Sequence, residues 1–110
     1  MKFEARQENG WTVVEVGGRL DTSSAAEFDR KGQELVAAGS KRIILDLAEL
    51  EYVSSAGLRS VLTTAKSAQA AGGKLAIASM RGVTKEVFSI SGFDSILPTY
   101  PDVAAALAAD

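Results

Sequence analysis

Two segments of this chain are apolar at almost every position, Arg42-Ile43-Ile44-Leu45-Asp46-Leu47 and Leu75-Ala76-Ile77-Ala78. A strand with one wet face alternates apolar and polar residues, whereas a strand covered on both faces reads as a short, nearly unbroken run. Between the two, Leu58, Val61, Leu62, Ala65 and Ala68 recur at intervals of three and four, the spacing of one helical face, and Gly72-Gly73 stops the pattern. Strand, helix and strand in that order form a crossover unit, which turns right-handed and leaves its strands parallel. The rest of the chain has to cover both faces of that sheet.

The flanking segments supply such elements. Lys2 to Gln7 and Trp11 to Val16 read as short strands, and the Asn9-Gly10 pair between them is a strong hairpin signal. Asp21-Thr22 offers an N-cap to a first helix whose Ala25, Phe28, Gly32, Leu35 and Val36 share a face, with Gly39 ending it. Val83, Val87 and Ile90 mark a short helix ended near Gly92, Ser95 to Leu97 a brief last strand, and Pro101 the first position of a closing helix through Leu107. Gly17-Gly18 reads as turn punctuation. Trp11 and Val13 lie in the edge hairpin, either exposed and able to self-associate or on a half-buried strand. The expected architecture is α/β, a mixed sheet with crossover helices in the order ββαβαβαβα. At 110 residues it makes one domain, residues 1–110.

Composition removes most chemistry. With no cysteine there is no thiolate or disulfide framework, and with no histidine the commonest general base and metal ligand is missing. Ser54 and Ser55 have no activating base, and Ser-Ser-Ala-Gly-Leu is not the elbow of a hydrolase. Asp46, Glu49 and Glu51 read as solvated carboxylates, so no metal or cofactor is expected, and no enzyme. A net charge of -2 without a lysine or arginine run gives no footprint for nucleic acid. The start, Met1-Lys2-Phe3-Glu4-Ala5-Arg6, lacks a signal-peptide core and no segment is apolar enough to insert in a membrane, which points to the cytoplasm.

What remains is the loop from the central strand into the second helix, Ala48-Glu49-Leu50-Glu51-Tyr52-Val53-Ser54-Ser55. Ligands of parallel sheets gather at the carboxyl ends of strands, and both the first and second helices begin there. A serine at a helix N-terminus can cap a free backbone N–H, worth about 1 kcal/mol. It can equally accept a phosphate. The exposed N–H groups and the helix dipole would partly stabilise its charge, while a partner docked on the same surface would meet repulsion and desolvation. Asp21 reads both as a cap and as a site residue, and Gly57 as a point of close approach for a partner's backbone or as a relaxed first turn.

Val53-Ser54-Ser55-Ala56-Gly57-Leu58, preceded by Ile43-Ile44-Leu45-Asp46-Leu47 and followed by an amphipathic helix, resembles the signature of the STAS domain family of anti-sigma factor antagonists. The resemblance spans essentially the whole chain, taking in Gly18-Arg19-Leu20-Asp21, Gly72-Gly73-Lys74-Leu75 and Ser91-Gly92-Phe93. It implies a STAS-type mixed sheet. It also implies a regulator of sigma-factor-dependent transcription in bacteria, one that binds an anti-sigma factor with serine kinase activity. Phosphorylation by that kinase would switch it off, and a serine phosphatase would restore it. The family's acceptor motif commonly reads Asp-Ser-Ser/Thr-Gly-Leu. Aligning Gly57-Leu58 with it makes Ser55 the expected phosphorylation site, with Ser54 the second choice. Ser54 then stands where the family carries an acid, and Ala56 where it carries a second hydroxyl. The partner surface implied is Asp21, Thr22, Ser54, Ser55, Ala56, Gly57 and Leu58. The same family also contains accessory subunits of lipid-transport ATPases and of stress-sensing complexes, for which a phosphoacceptor is dispensable.

Overall fold

A computed structural model describes residues 1–109. Its elements are β1 (Lys2–Glu8), β2 (Trp11–Leu20), α1 (Ala25–Ala37), β3 (Arg42–Asp46), β4 (Leu50–Val53) and α2 (Ser55–Ala70). There follow β5 (Lys74–Ala78), α3 (Gly82–Ile90), a 3₁₀ turn (Phe93–Ser95), β6 (Thr99–Tyr100) and α4 (Val103–Ala108). The sheet order is β1-β2-β3-β5-β6, with β4 pairing the far end of β2. β1 and β2 are antiparallel, joined by a turn whose Asn9 and Gly10 both have positive φ, the type I′ geometry that suits a twisted hairpin. The other pairings are parallel.

The continuous apolar runs are explained by what covers them. On one face Val14, Val16, Ile43, Leu45, Leu75 and Ile77 pack against Phe28 of α1, Leu58, Val61, Ala65 and Ala68 of α2, and Phe88 of α3. On the other, Trp11, Val13, Ile44, Ala76 and Ala78 lie under α4, with Ala106 buried at the contact and Val103 and Leu107 beside it. Trp11 is therefore 3% exposed and Val13 fully buried, which removes them as a self-association surface.

Several boundaries differ from the expectation. β2 runs on to Leu20, so Gly17-Gly18 lies inside a strand, where the register with β4 shifts between Gly18 and Arg19. β4 itself was not foreseen, and it makes the order ββαββαβαβα. The last strand is Thr99–Tyr100, and Ser95 to Leu97 contains the end of the 3₁₀ turn instead. α4 begins at Val103, two residues after the Pro101 expected as its first position, because Asp102 caps it, its Oδ1 accepting from the Ala105 N–H at 2.8 Å. On α3 the buried face carries Thr84 and Phe88, while Val83 and Ile90 are 60% and 86% exposed. Phe88 stacks on Phe93 and the Thr84 hydroxyl donates to the Leu50 carbonyl, so contacts with the turn after α3 and with β4 choose the inward face.

Candidate functional site

The carboxyl ends of β2 and β4 lie side by side, with Arg19 opposite Tyr52 and Leu20 opposite Val53. One residue further on, the Ser54 N–H donates to the Leu20 carbonyl at 2.9 Å, so the turn into α1 and the start of α2 meet. Ser54 is extended and caps α2: its Oγ accepts from the Gly57 N–H at 3.2 Å, and its carbonyl accepts from the Leu58 N–H at 2.9 Å. Ser55 is the first helical residue and is exposed. Its hydroxyl makes no hydrogen bond among the described residues, and no acidic side chain lies in the first turn of α2. The two serines thus divide the roles that sequence left open: one hydroxyl is occupied by capping, and the other is available.

Gly57 is a point of close approach, though to this chain's own backbone. A Cβ there would stand 2.4 Å from the Leu20 carbonyl oxygen and 2.9 Å from Leu20 Cγ, so only glycine lets α2 seat against the end of β2. Leu58 is 7% exposed and belongs to the core. Among the residues expected to meet a partner, Gly57 and Leu58 therefore face inward, Thr22 and Ser55 are exposed, and Asp21, Ser54 and Ala56 are half-buried.

Asp21 caps, but a turn earlier than the helix it was assigned to. Its Oδ1 accepts from the Ser23 N–H at 3.0 Å and from the Ser23 hydroxyl at 2.6 Å, while its own N–H donates to Ser24 Oγ at 3.0 Å. Ser24 Oγ in turn donates to the Arg19 carbonyl at 2.8 Å. This reciprocal arrangement resembles a capping box built on the turn 22–24. α1 proper starts at Ala25, next to Ser24, which offers it no side-chain cap bond. The Ser23 hydroxyl holds the Asp21 carboxyl below the ordinary carboxylate range against some desolvation, assisted by the Ser23 N–H and by Arg19. Asp21 is accordingly a fixed negative charge at neutral pH.

Two further residues belong to this surface and carry no sequence signal of their own. Arg19 lays its guanidinium 4.3 Å from the centre of the Tyr52 ring and brings Nε to 3.4 Å from Asp21 Oδ2. Tyr52 is 37% exposed. Both were hidden because their proximity depends on β4. An open groove of about 590 Å³ lies nearby, lined by residues including Lys2, Gly17, Glu49 and Arg81, but neither Asp21 nor Ser55 lines it. Among the described residues no group of three or more acidic, histidine or cysteine side chains could hold a metal. No described helix is long and apolar enough to cross a membrane.

The fold is a mixed α/β sheet with an exposed hydroxyl at the start of α2, and comparisons with known proteins identify its family. The STAS domain family profile matches residues 2–106. BtrV of Bordetella bronchiseptica, named as a candidate anti-sigma factor antagonist, is 36% identical over 109 residues, covering 99% of this chain and 94% of its own. The crystal structure of an anti-sigma factor antagonist from Mycobacterium paratuberculosis superposes with a TM-score of 0.88 at 25% identity, over 98% of this chain and 92% of that one. The Bacillus cell fate determinant SpoIIAA, solved in its phosphorylated form, shares the fold at a TM-score of 0.73 and 19% identity, over 98% and 99% of the two chains. The chain belongs to the STAS domain family, among the anti-sigma factor antagonists, which are regulators and not enzymes.

Proposed function

We propose that this protein, acting as a single domain in the bacterial cytoplasm, binds an anti-sigma factor with serine kinase activity and is released when that kinase phosphorylates Ser55. The observation that carries this reading is the exposed, uncommitted Ser55 hydroxyl at the start of α2, beside the Asp21 turn. A free hydroxyl on an exposed first turn can be reached by a kinase without unfolding the domain. The phosphate adds about -1.5 to -2 charges at a helix N-terminus that tolerates them. A partner seated over Asp21, Thr22, Ser55 and the Arg19–Tyr52 pair meets that charge directly, and a loss of about 3 kcal/mol weakens binding on the order of a hundredfold. SpoIIAA, which exists in a phosphorylated form, lends support at the level of the fold. A serine phosphatase completes the cycle.

Two measurements test it. Intact-mass analysis after incubation with the anti-sigma factor and ATP should show one added phosphate, mapped to Ser55 and lost in Ser55→Ala. Titration calorimetry should show Ser55→Ala binding like the parent and the phosphoprotein binding far more weakly. Phosphate found only away from Ser54 and Ser55, or equal affinity with and without it, would overturn the switch.

A further inference from the structure

β1 is the outer strand of the sheet: β2 takes one of its edges and, among the described residues, no strand takes the other. Glu4, Ala5, Arg6 and Gln7 are all exposed, so the helices on either face leave the middle of this edge open. The hairpin sets which backbone groups point outward. Glu8 and Trp11 flank a two-residue turn and so form a hydrogen-bonded pair, and bonded pairs recur at Arg6, Glu4 and Lys2. The N–H and C=O groups of Phe3, Ala5 and Gln7 therefore point away from β2. The even-numbered side chains alternate in sign, Lys2, Glu4, Arg6 and Glu8, on the face where Lys2 and Arg6 reach Glu15 at 2.9 and 2.7 Å.

We propose that β1 pairs with β1 of a second copy, antiparallel about a twofold axis at Ala5, to make one continuous sheet. In that register Ala5 meets Ala5 and Phe3 meets Gln7, and these are the positions whose backbone groups are free to bond. Lys2 meets Glu8 and Glu4 meets Arg6. These fall on the non-bonded pairs, whose side chains approach most closely. Charged residues on an edge strand usually guard against pairing of any kind. Here the alternation of sign selects one register. Slipping by two residues preserves the bonding pattern but sets Arg6 against Arg6 and Glu4 against Glu8. Slipping the other way sets Glu4 against Glu4 and Lys2 against Arg6. The charges are also available: Glu4 is 68% exposed, and its nearest cation in the chain, Lys2, stands at 4.0 Å. Arg6 gives Nε to Glu8 and Nη1 to Glu15, which leaves Nη2 for Glu4 of the second copy.

Two seven-residue strands bury less than a standard interface, so the dimer is weak and salt-sensitive. Sedimentation equilibrium of the intact protein from about 10 μM to 1 mM at low salt should show it. Glu4→Arg and Arg6→Glu should each raise the dissociation constant on the order of tenfold or more, since either reversal turns two attractive pairs repulsive. Mixing the two variants should restore a dimer of one of each, because opposite charges again face one another at both central positions. Ala5→Pro, which removes an N–H directed away from β2, should abolish pairing of folded protein, with circular dichroism checking the fold. A parent protein that stays monomeric at 1 mM overturns the proposal and leaves the edge to a strand from another protein. So does a dimer equally strong in both charge reversals, or a mixture that fails to associate.

Discussion

Ser54→Ala and Ser55→Ala differ by one position and should differ sharply in consequence. Ser54 Oγ accepts from the Gly57 N–H at 3.2 Å, and Gly57 is buried, so truncating Ser54 leaves that donor without a ready replacement. Loss of a serine cap typically costs about 1 kcal/mol, and a buried unsatisfied donor about 1–3 kcal/mol. The bond is long for an N–H to oxygen contact, which places the expected loss near the lower end, at about 1.5 kcal/mol. With an unfolding entropy of about 2.1 cal/mol/K per residue, that lowers the melting temperature of this 110-residue chain by about 6 °C. Ser55 is exposed and its hydroxyl holds nothing, so Ser55→Ala should stay within about 0.5 kcal/mol of the parent. Ser54→Asp keeps an acceptor oxygen and adds a charge that the helix start favours, so it should be at least as stable as the parent. Urea unfolding followed by circular dichroism reads these differences from the midpoints, provided the slopes agree. Equal losses in the two alanine variants, or a larger one in Ser55→Ala, would refute the division of roles.

Three other outcomes are expected. Gly57→Ala sets a methyl group 2.4 Å from a carbonyl oxygen, and overpacking of about 1–3 kcal/mol outweighs a helix-propensity gain of up to about 1 kcal/mol. A neutral variant in the same urea assay would show that α2 does not seat on β2 this closely. Asp21 titrates below its ordinary range in the folded state, so its contribution to stability is present above the unfolded carboxylate pKa and is lost as pH falls through the lowered value. Ser23→Ala removes the largest cause and should move the Asp21 titration upward in carboxyl-detected NMR, and an unmoved titration would assign the shift elsewhere. Phosphate on Ser55 would sit at a neutral first turn with exposed Arg59 one turn on, and should stabilise the domain by about 1 kcal/mol, or about 4 °C. Calorimetry on the phosphoprotein checks this, and a lower melting temperature would count against a fold that tolerates the modification.

The features legible in sequence were those whose cause is local. β3 and β5 are buried on both faces and so read as apolar runs, and α2 repeats its core residues within each turn. β4 did not show because it has four residues, only Leu50 and Val53 of them buried, and among the described residues it pairs with β2 alone. On α3, Val83, Val87 and Ile90 share helical spacing as well as any core stripe does. The helix nevertheless turns Phe88 inward, because Phe93 and Leu50 lie on that side, and periodicity carries no information about what a helix will meet. Trp11 and Val13 were ambiguous for the same reason: their cover is α4, a six-residue helix far along the chain.

At the site, the two adjacent serines at a helix start were visible, but which one lies inside the helix was not, since a boundary shift of one residue exchanges their roles. Backbone geometry decides it: Ser54 is extended at φ -95° and ψ 174°, which aims its hydroxyl at the Gly57 N–H, and Ser55 begins the helix. This also explains how a serine can stand where the family carries an acid. Capping needs an acceptor oxygen, not a charge, so Ser54 retains the mechanical part of that position and gives up only its electrostatic part. The first turn of α2 is left without a negative side chain at the positive end of its dipole. A phosphate on Ser55 would then be the first negative charge within that turn, added to the fixed Asp21 charge of the neighbouring turn, so the contrast a partner meets between the two states is set by the phosphate and not by a resident acid in the helix.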